Sequence, residues 1–407
     1  MFYFFYYFPL GLDVRTPRRV WATWMVMAAC AGVFVLQRTQ PMFFWVNQNA
    51  LVFLPSAPSP SSLVLNAYLH GGWLHLISNM ITLAVFGPAL EGRIGAGRFL
   101  LLYHLCNVFA NLVQGALVLL ALPAYAGAGV VGASGAIAGI LGLCAVRLDF
   151  ARLRLGYWAF LPLQAFTRCG MANIPVLAAI FLWFVLQAGM ALMQIQGAGA
   201  GVAVGSHLGG LAAGVAFGLL WGWRRAARCE ALLQRGRRYL DRALWYPAQG
   251  EFIEYVRRMP HDSDGHLELA RTYRLTGRNG LADDHYRAAC NLLSAAGRLD
   301  RVEEVYVEAE KGSPMFALAP ARQLQLAQAQ ERSLRIAAAE QSYLRYAHHH
   351  AQTHAAPLAL YRAARLSGQR PGHACHAQTL YQRLVDEYPL TAEAGLARNE
   401  LQLLAAA

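Results

Sequence analysis

A chain of 407 residues with a formal net charge of +12 invites a nucleic-acid reading, but 56% of it is hydrophobic and only 14% charged. Its arginines gather beside apolar stretches, as membrane topology signals do, and Lys311 is the only lysine, so no nucleic-acid partner is expected. The seven cysteines are scattered, odd in number and never spaced CxxC, which reads as free thiols rather than a disulfide framework.

In chain order, the aromatic start Met1–Tyr7 lacks a basic n-region and a small-residue cleavage site. It reads as part of a cytoplasmic, interfacial segment over residues 1–19, not as a signal peptide. Six apolar segments follow within 20–223: Val20–Leu36, Trp73–Leu90, Phe99–Leu122, Ser134–Val146, Ile174–Ile195 and His207–Trp223. A spanning helix needs about 20 apolar residues, and the fourth is short by about a third. A chain that re-enters the bilayer and starts its helix partway down accounts for that, provided the irregular backbone is buried or lines water. The connection Gln37–Leu69 contains Phe43-Phe44-Trp45 and Leu51-Val52-Phe53-Leu54, so a partly embedded hairpin is expected there.

Arginines alternate along these segments. Arg15, Arg18 and Arg19, then Arg93 and Arg98, then Arg147, Arg152, Arg154 and Arg168, then Arg224, Arg225 and Arg228 fall on one side. The opposite loops hold Arg38 and little else, so both termini are expected in the cytoplasm, with a bacterial inner membrane as the setting.

Polar groups inside such segments are costly and therefore functional candidates. The first cluster is His70-Gly71-Gly72-Trp73-Leu74-His75-Leu76-Ile77-Ser78-Asn79, in which His75 and Asn79 share a helix face one turn apart. Next comes Gly132-Ala133-Ser134-Gly135 at the head of the short segment, then Gly205-Ser206-His207-Leu208-Gly209-Gly210 at the head of the last. A serine hydroxyl becomes a nucleophile when a histidine takes its proton. Ser134 is followed by Gly135, Gly139 and Gly142, and His207 by Gly210, Gly214 and Gly218. Small residues so spaced let two membrane helices approach closely enough to join that pair. Acyl transfer also needs donors for the oxyanion, which the Asn79 amide, the Ser134 backbone N–H and the His75 ring can supply. No acidic residue lies in the apolar segments near this mouth, so a Ser-His dyad is the economical reading. A metal site from His70, His75 and His207 lacks a nearby carboxylate base or an HExxH arrangement; no metal or cofactor is expected. The glycine-dense stretch Gln194–Gly201 ahead of His207 is expected to be a mobile cap.

A basic linker over 224–250 leads into 251–407, rich in Arg, Glu, Gln and Ala. Leu267–Tyr273 ends at Gly277 and Leu360–Leu366 at Gly368. Each is followed by a second helix, containing His285–Ala289 and Leu380–Leu384 respectively. Such paired helices resemble tetratricopeptide repeats. His348-His349-His350 occupies consecutive helical positions that do not face one way, so it is not read as a metal site.

Together, His70, His75 and Asn79, the GxSG at Ser134, the motif at His207 and Glu91-Gly92-Arg93 after the second segment resemble the rhomboid family of intramembrane serine proteases, in family order, over about residues 15–225. The resemblance implies a six-helix membrane bundle. The tail lies outside the family core and, by its paired helices, is expected to follow as a soluble helical repeat domain, so that the whole fold is all-α. The resemblance also implies Ser134 as nucleophile, His207 as general base, and His75, Asn79 and the Ser134 N–H on the oxyanion side. Supporting roles fall to His70, Gly132, Gly135, Gly210 and Gly214, while Glu91 and Arg93 pin the cytoplasmic turn. Where some members stack a tyrosine on the catalytic histidine, this chain has Ala138.

Substrates would be transmembrane proteins with weakened helices in the lipid bilayer, admitted between the second and fifth helices, with a cytoplasmic protein partner for 251–407. Two other classes are compatible: a rhomboid-like client binder that does not cut, usually marked by loss of the serine or histidine, and a membrane-anchored scaffold whose tail is the main business.

Overall fold

The computed structural model describes residues 4–14, 16, 20–161, 166–195, 203–314 and 316–406. Most of the expected cap, Arg15, Arg18 and Arg19 lie outside the described residues. The chain divides into two compact units, Met1–Gln234 and Arg235–Ala407.

All six apolar segments of the first unit are helices: α1 (Ala22–Thr39), α2 (Trp73–Ile94), α3 (Ala96–Ala121), α4 (Ser134–Arg147), α5 (Val176–Ile195) and α6 (Val204–Leu220). Of the described helices, α1, α2 and α3 are each long and apolar enough to cross a membrane unaided. Side chains such as Leu74, Leu120 and Phe181 stay open on the outside, as lipid-facing residues do, and the unit is that of a multi-pass membrane protein. At ~1.5 Å per residue α4 is about 21 Å long, against about 30 Å of hydrocarbon. It manages because it is the hub: apart from Ser134, Ala145 and Arg147, all its residues are buried.

Glycines make that burial possible. A Cβ on Gly210 would be driven into the Gly135 carbonyl, and one on Gly142 into that of Leu211. The stripes of α4 and α6 thus meet backbone to backbone. On the arginine-rich side, Glu91 caps α1. Its carboxylate accepts from the N–H groups of Trp21, Ala22 and Thr23 at 2.8–2.9 Å and from Thr23 Oγ1 at 2.7 Å. Arg93 instead reaches Glu230, which also receives Arg147 at 2.9 Å. Glu230 lies on α7 (Trp223–Leu240), whose axis is bent 83° from that of α6.

Three antiparallel strands, not expected from the sequence, complete the unit: β1 (Phe4–Leu12), β2 (Arg152–Leu161) and β3 (Phe166–Pro175), in the order β1-β2-β3. From Phe4 onward the N-terminal aromatic run therefore pairs along the segment that joins α4 to α5. The connection after α1 folds as short helical pieces, Pro41–Val46, Gln48–Leu51 and Ser62–Leu65, with Trp45 70% exposed.

The second unit is a run of helices from α8 (Trp245–Arg258) through α9 (Ser263–Leu275), α10 (Asn279–Ala295), α11 (Leu299–Gly312), α12 (Pro320–Arg332), α13 (Ile336–His349), α14 (Ala356–Gly368) and α15 (Ala374–Glu387) to α16 (Ala392–Ala406). Small Ala and large Tyr side chains alternate in its interior, among them Ala363, Ala364, Tyr343 and Tyr346. His349 closes α13, and among the described residues no three His, Cys, Asp or Glu side chains converge as metal ligands.

Candidate active site

The serine is delivered by a short extended segment and a sharp turn. Phe53 and Val130 exchange backbone hydrogen bonds, and the Gly132 N–H then donates to the Asn66 carbonyl at 2.9 Å. Gly132 has φ +123°, a conformation open to glycine, and a Cβ there would lie 2.7 Å from His75 Cε1. The glycine thus turns the chain into α4 and lets the His75 ring lean on the turn. Ser134 opens the helix half-buried, and the residue before it, Ala133, has no polar side chain with which to cap this end. First-turn N–H groups are without intrahelical partners and face an anion favourably.

Asn66 is itself held by amides the sequence reading passed over. Its Oδ1 accepts from Asn107 and Asn111 on α3 at 2.9 and 3.0 Å, and both also donate to the Leu63 carbonyl. One turn along α3, Gln114 Oε1 accepts the Ser206 N–H at 3.0 Å and so holds the start of α6. Gly135 leaves room for Ser206, whose Oγ would be 2.6 Å from a Cβ at that position. Asn107, Asn111 and Gln114 recur at helical spacing in an apolar segment, which was the available signal.

His75 and Asn79 on α2, Ser134 on α4, Trp183 on α5 and His207 on α6 line one cavity of about 520 Å³. The Asn79 side chain is 7% exposed, and its Nδ2 has no hydrogen-bond partner. An unpaired amide donor in such a place is costly unless a ligand satisfies it. His207 is partly buried; its Nδ1 lies 2.8 Å from Oε1 of Gln187 on α5, and its ring sits 5.8 Å from that of Trp183.

His70 stands behind the cavity wall. It is 2% exposed, its Nδ1 donates to the Tyr68 carbonyl at 3.3 Å, and its ring meets that of His75 at 5.3 Å. Burial first, and His75 second, push its pKa down to about 4, so the ring is neutral. Gly210 and Gly214 hold the α4–α6 seam, and Glu91 and Arg93 lie apart from the cavity among the α1 and α7 contacts described above.

A half-buried serine and a partly buried histidine on facing helices thus open into one cavity of the membrane unit. Residues 58–224 match the family model of the Rhomboid domain. The chain is 27% identical over 96 residues to the rhomboid protease GlpG of Klebsiella pneumoniae, in each of two strains, covering 23% of this chain and 34% of the relative. It is 35% identical over 94 residues to a candidate rhomboid protease, YdcA, of Bacillus subtilis, covering 23% of this chain and 44% of the relative. The matched stretch spans less than half the length of these curated relatives.

Proposed function

We propose that this protein is an intramembrane serine endopeptidase that cuts transmembrane proteins with Ser134 as nucleophile and His207 as base. The observation that carries the reading is that Ser134, His207 and the unpaired Asn79 amide line one cavity. In the proposed cycle, Ser134 Oγ attacks the scissile carbonyl while its proton passes to His207 Nε2. Negative charge gathers on the former carbonyl oxygen, where the Asn79 amide and the Ser134 N–H can donate, with His75 alongside. Collapse expels the amine, which takes the proton from His207, and water then releases the acyl group by the same route.

Access to the site favours a substrate whose helix is weakened by Gly, Ala, Ser or Pro, since an extended backbone is needed for attack. Much of the α5 surface is exposed, which supports admission beside α2, with the protease domain over 20–223. Both termini lie in the cytoplasm of a bacterial inner membrane, and 251–407 is a tetratricopeptide-like module for a cytoplasmic protein partner.

The test is cleavage of a reporter transmembrane substrate by purified protein in liposomes, beside Ser134→Ala and His207→Ala. Cutting by the parent and by neither variant is expected. A parent that binds several helix-weakened substrates without cutting them would overturn the reading in favour of a client binder. Removal of 251–407 should leave the chemistry in place.

A further inference from the structure

The side chain of Gln187 has no part in the dyad described above, yet its surroundings single it out. The outward surface of α5 is apolar and open, with Phe181 66%, Leu182 62% and Leu186 58% exposed, whereas Gln187 is 7% exposed. A buried amide on a membrane helix is costly unless it is hydrogen-bonded. Here the bond is Oε1 to His207 Nδ1 at 2.8 Å. A carbonyl oxygen only accepts, so this contact puts the imidazole proton on Nδ1 and leaves the Nε2 lone pair free.

We infer that Gln187 is a positioning residue for His207, holding it in the tautomer a general base needs. This rests on the Ser134–His207 reading. In a triad of the familiar kind a carboxylate takes this place, and here a neutral amide does so in a setting where a buried charge would be expensive. The proton count is simple. Nδ1–H stays on Nδ1 throughout, Nε2 gains the serine proton and later gives it to the leaving amine, and Oε1 accepts from Nδ1 in both states. Trp183, four residues earlier and on the same face of α5, lies beside the ring at 43° to it. Ala138 offers no ring for His207 to stack on. The base is thereby tied to α5, a helix with most of its apolar side chains open, so outward displacement of α5 would remove its acceptor.

The proposal is tested on the full chain in liposomes with two variants. Gln187→Leu should lower kcat about 10²-fold with KM little changed, the size of a general-base contribution. Gln187→Glu should keep cleavage but move the acid limb of the pH profile to higher pH, because a carboxylate favours the imidazolium. Among the described residues, His75 is the other histidine lining the cavity, and its contribution is common to parent and variants. Gln187→Leu cutting at the parental rate with the parental pH profile would overturn the inference and leave the dyad standing. If the parent does not cut, or His207→Ala does, the dyad reading itself falls and takes this inference with it. A readout that needs no Gln187 variant is the ¹⁵N spectrum of histidine-labelled parent, with His207 assigned by its loss in His207→Ala. Protonation at Nδ1 is expected, and protonation at Nε2 would overturn the assignment.

Discussion

Gly214 on α6 lies flush against the backbone of Gly139 on α4, with the Gly139 carbonyl oxygen occupying the place a Cβ would take. The obstacle is backbone rather than a flexible side chain, so it cannot swing away. Gly214→Ala should separate α4 from α6 and destabilise the membrane unit by about 1–3 kcal/mol or more, the range for overpacking. Thermal unfolding in detergent would show it. Gly32→Ala is the control, since nothing lies within 4 Å of a Cβ there.

Asn79→Ala should separate catalysis from stability. Its amide nitrogen makes no hydrogen bond in the resting protein, so its removal breaks none of the fold's own bonds to that atom. Cleavage should fall about 10²–10³-fold, as for loss of one oxyanion donor, with the melting temperature unchanged or raised. Loss of activity accompanied by an equally large loss of stability would assign Asn79 to the fold.

Glu91 carries the opposite expectation. Its carboxylate accepts three backbone N–H groups and one hydroxyl at the start of α1. Glu91→Ala should cost on the order of 3 kcal/mol, because buried donors are left unsatisfied. The active site of whatever fraction remains folded should keep its turnover. Active-site titration beside a melting curve separates the two quantities.

Much of the membrane unit was legible because apolar runs and glycine spacing report directly on helices and their seams. Ser134, His207, His75 and Asn79 announced themselves as polar residues where polarity is expensive, and all four line the cavity. The groups that hold them did not. Gln187 and Gln114 act through contacts of sequence separation 20 and 92, which no local pattern encodes. The β1–β2 pairing was hidden for the same reason, since it joins Phe4 to Phe160 across most of the unit. An aromatic run at a membrane interface and an aromatic strand have the same composition. Nor does the sequence show that Glu91 and Arg93, two residues apart, take different partners: Glu91 is taken up by the α1 backbone and Arg93 turns to Glu230.

That Arg93–Glu230–Arg147 cluster gives a pH expectation. Burial pushes the Glu230 carboxyl up, but the hydrogen bond and charge of Arg93, with those of Arg147, outweigh it and hold its pKa below the ordinary 4.5. A folded value below the unfolded one means that the contribution is complete above the ordinary glutamate range and fades as pH falls through the depressed value. The gap in melting temperature between parent and Glu230→Gln should be widest at neutral pH and close on acidification. A gap that widens below pH 4.5 would reverse the assigned sign.

The tail offers a stabilising change. Four helix ends share one device: a residue with positive φ whose N–H returns to the carbonyl three residues back, while the next N–H returns to the one five back. It occurs at Gly277 with Arg278, at Gly297 with Arg298, at Ala243 with Leu244 and at Leu334 with Arg335. This is the Schellman arrangement, in which glycine is free of the Cβ penalty. Leu334 has φ +57° and is 81% exposed, so its side chain contributes little packing to offset a left-handed cost of roughly 1–2 kcal/mol. Glycine also gains entropy in the unfolded chain, which takes back part of that amount. Leu334→Gly should therefore raise the stability of the tail by about 0.5–1 kcal/mol, and Leu334→Ala should gain less. Urea unfolding of the full chain, followed by the tail tyrosines, is the measurement. Destabilisation by the glycine would mean that the exposed leucine makes a contact in solution worth more than the strain it carries.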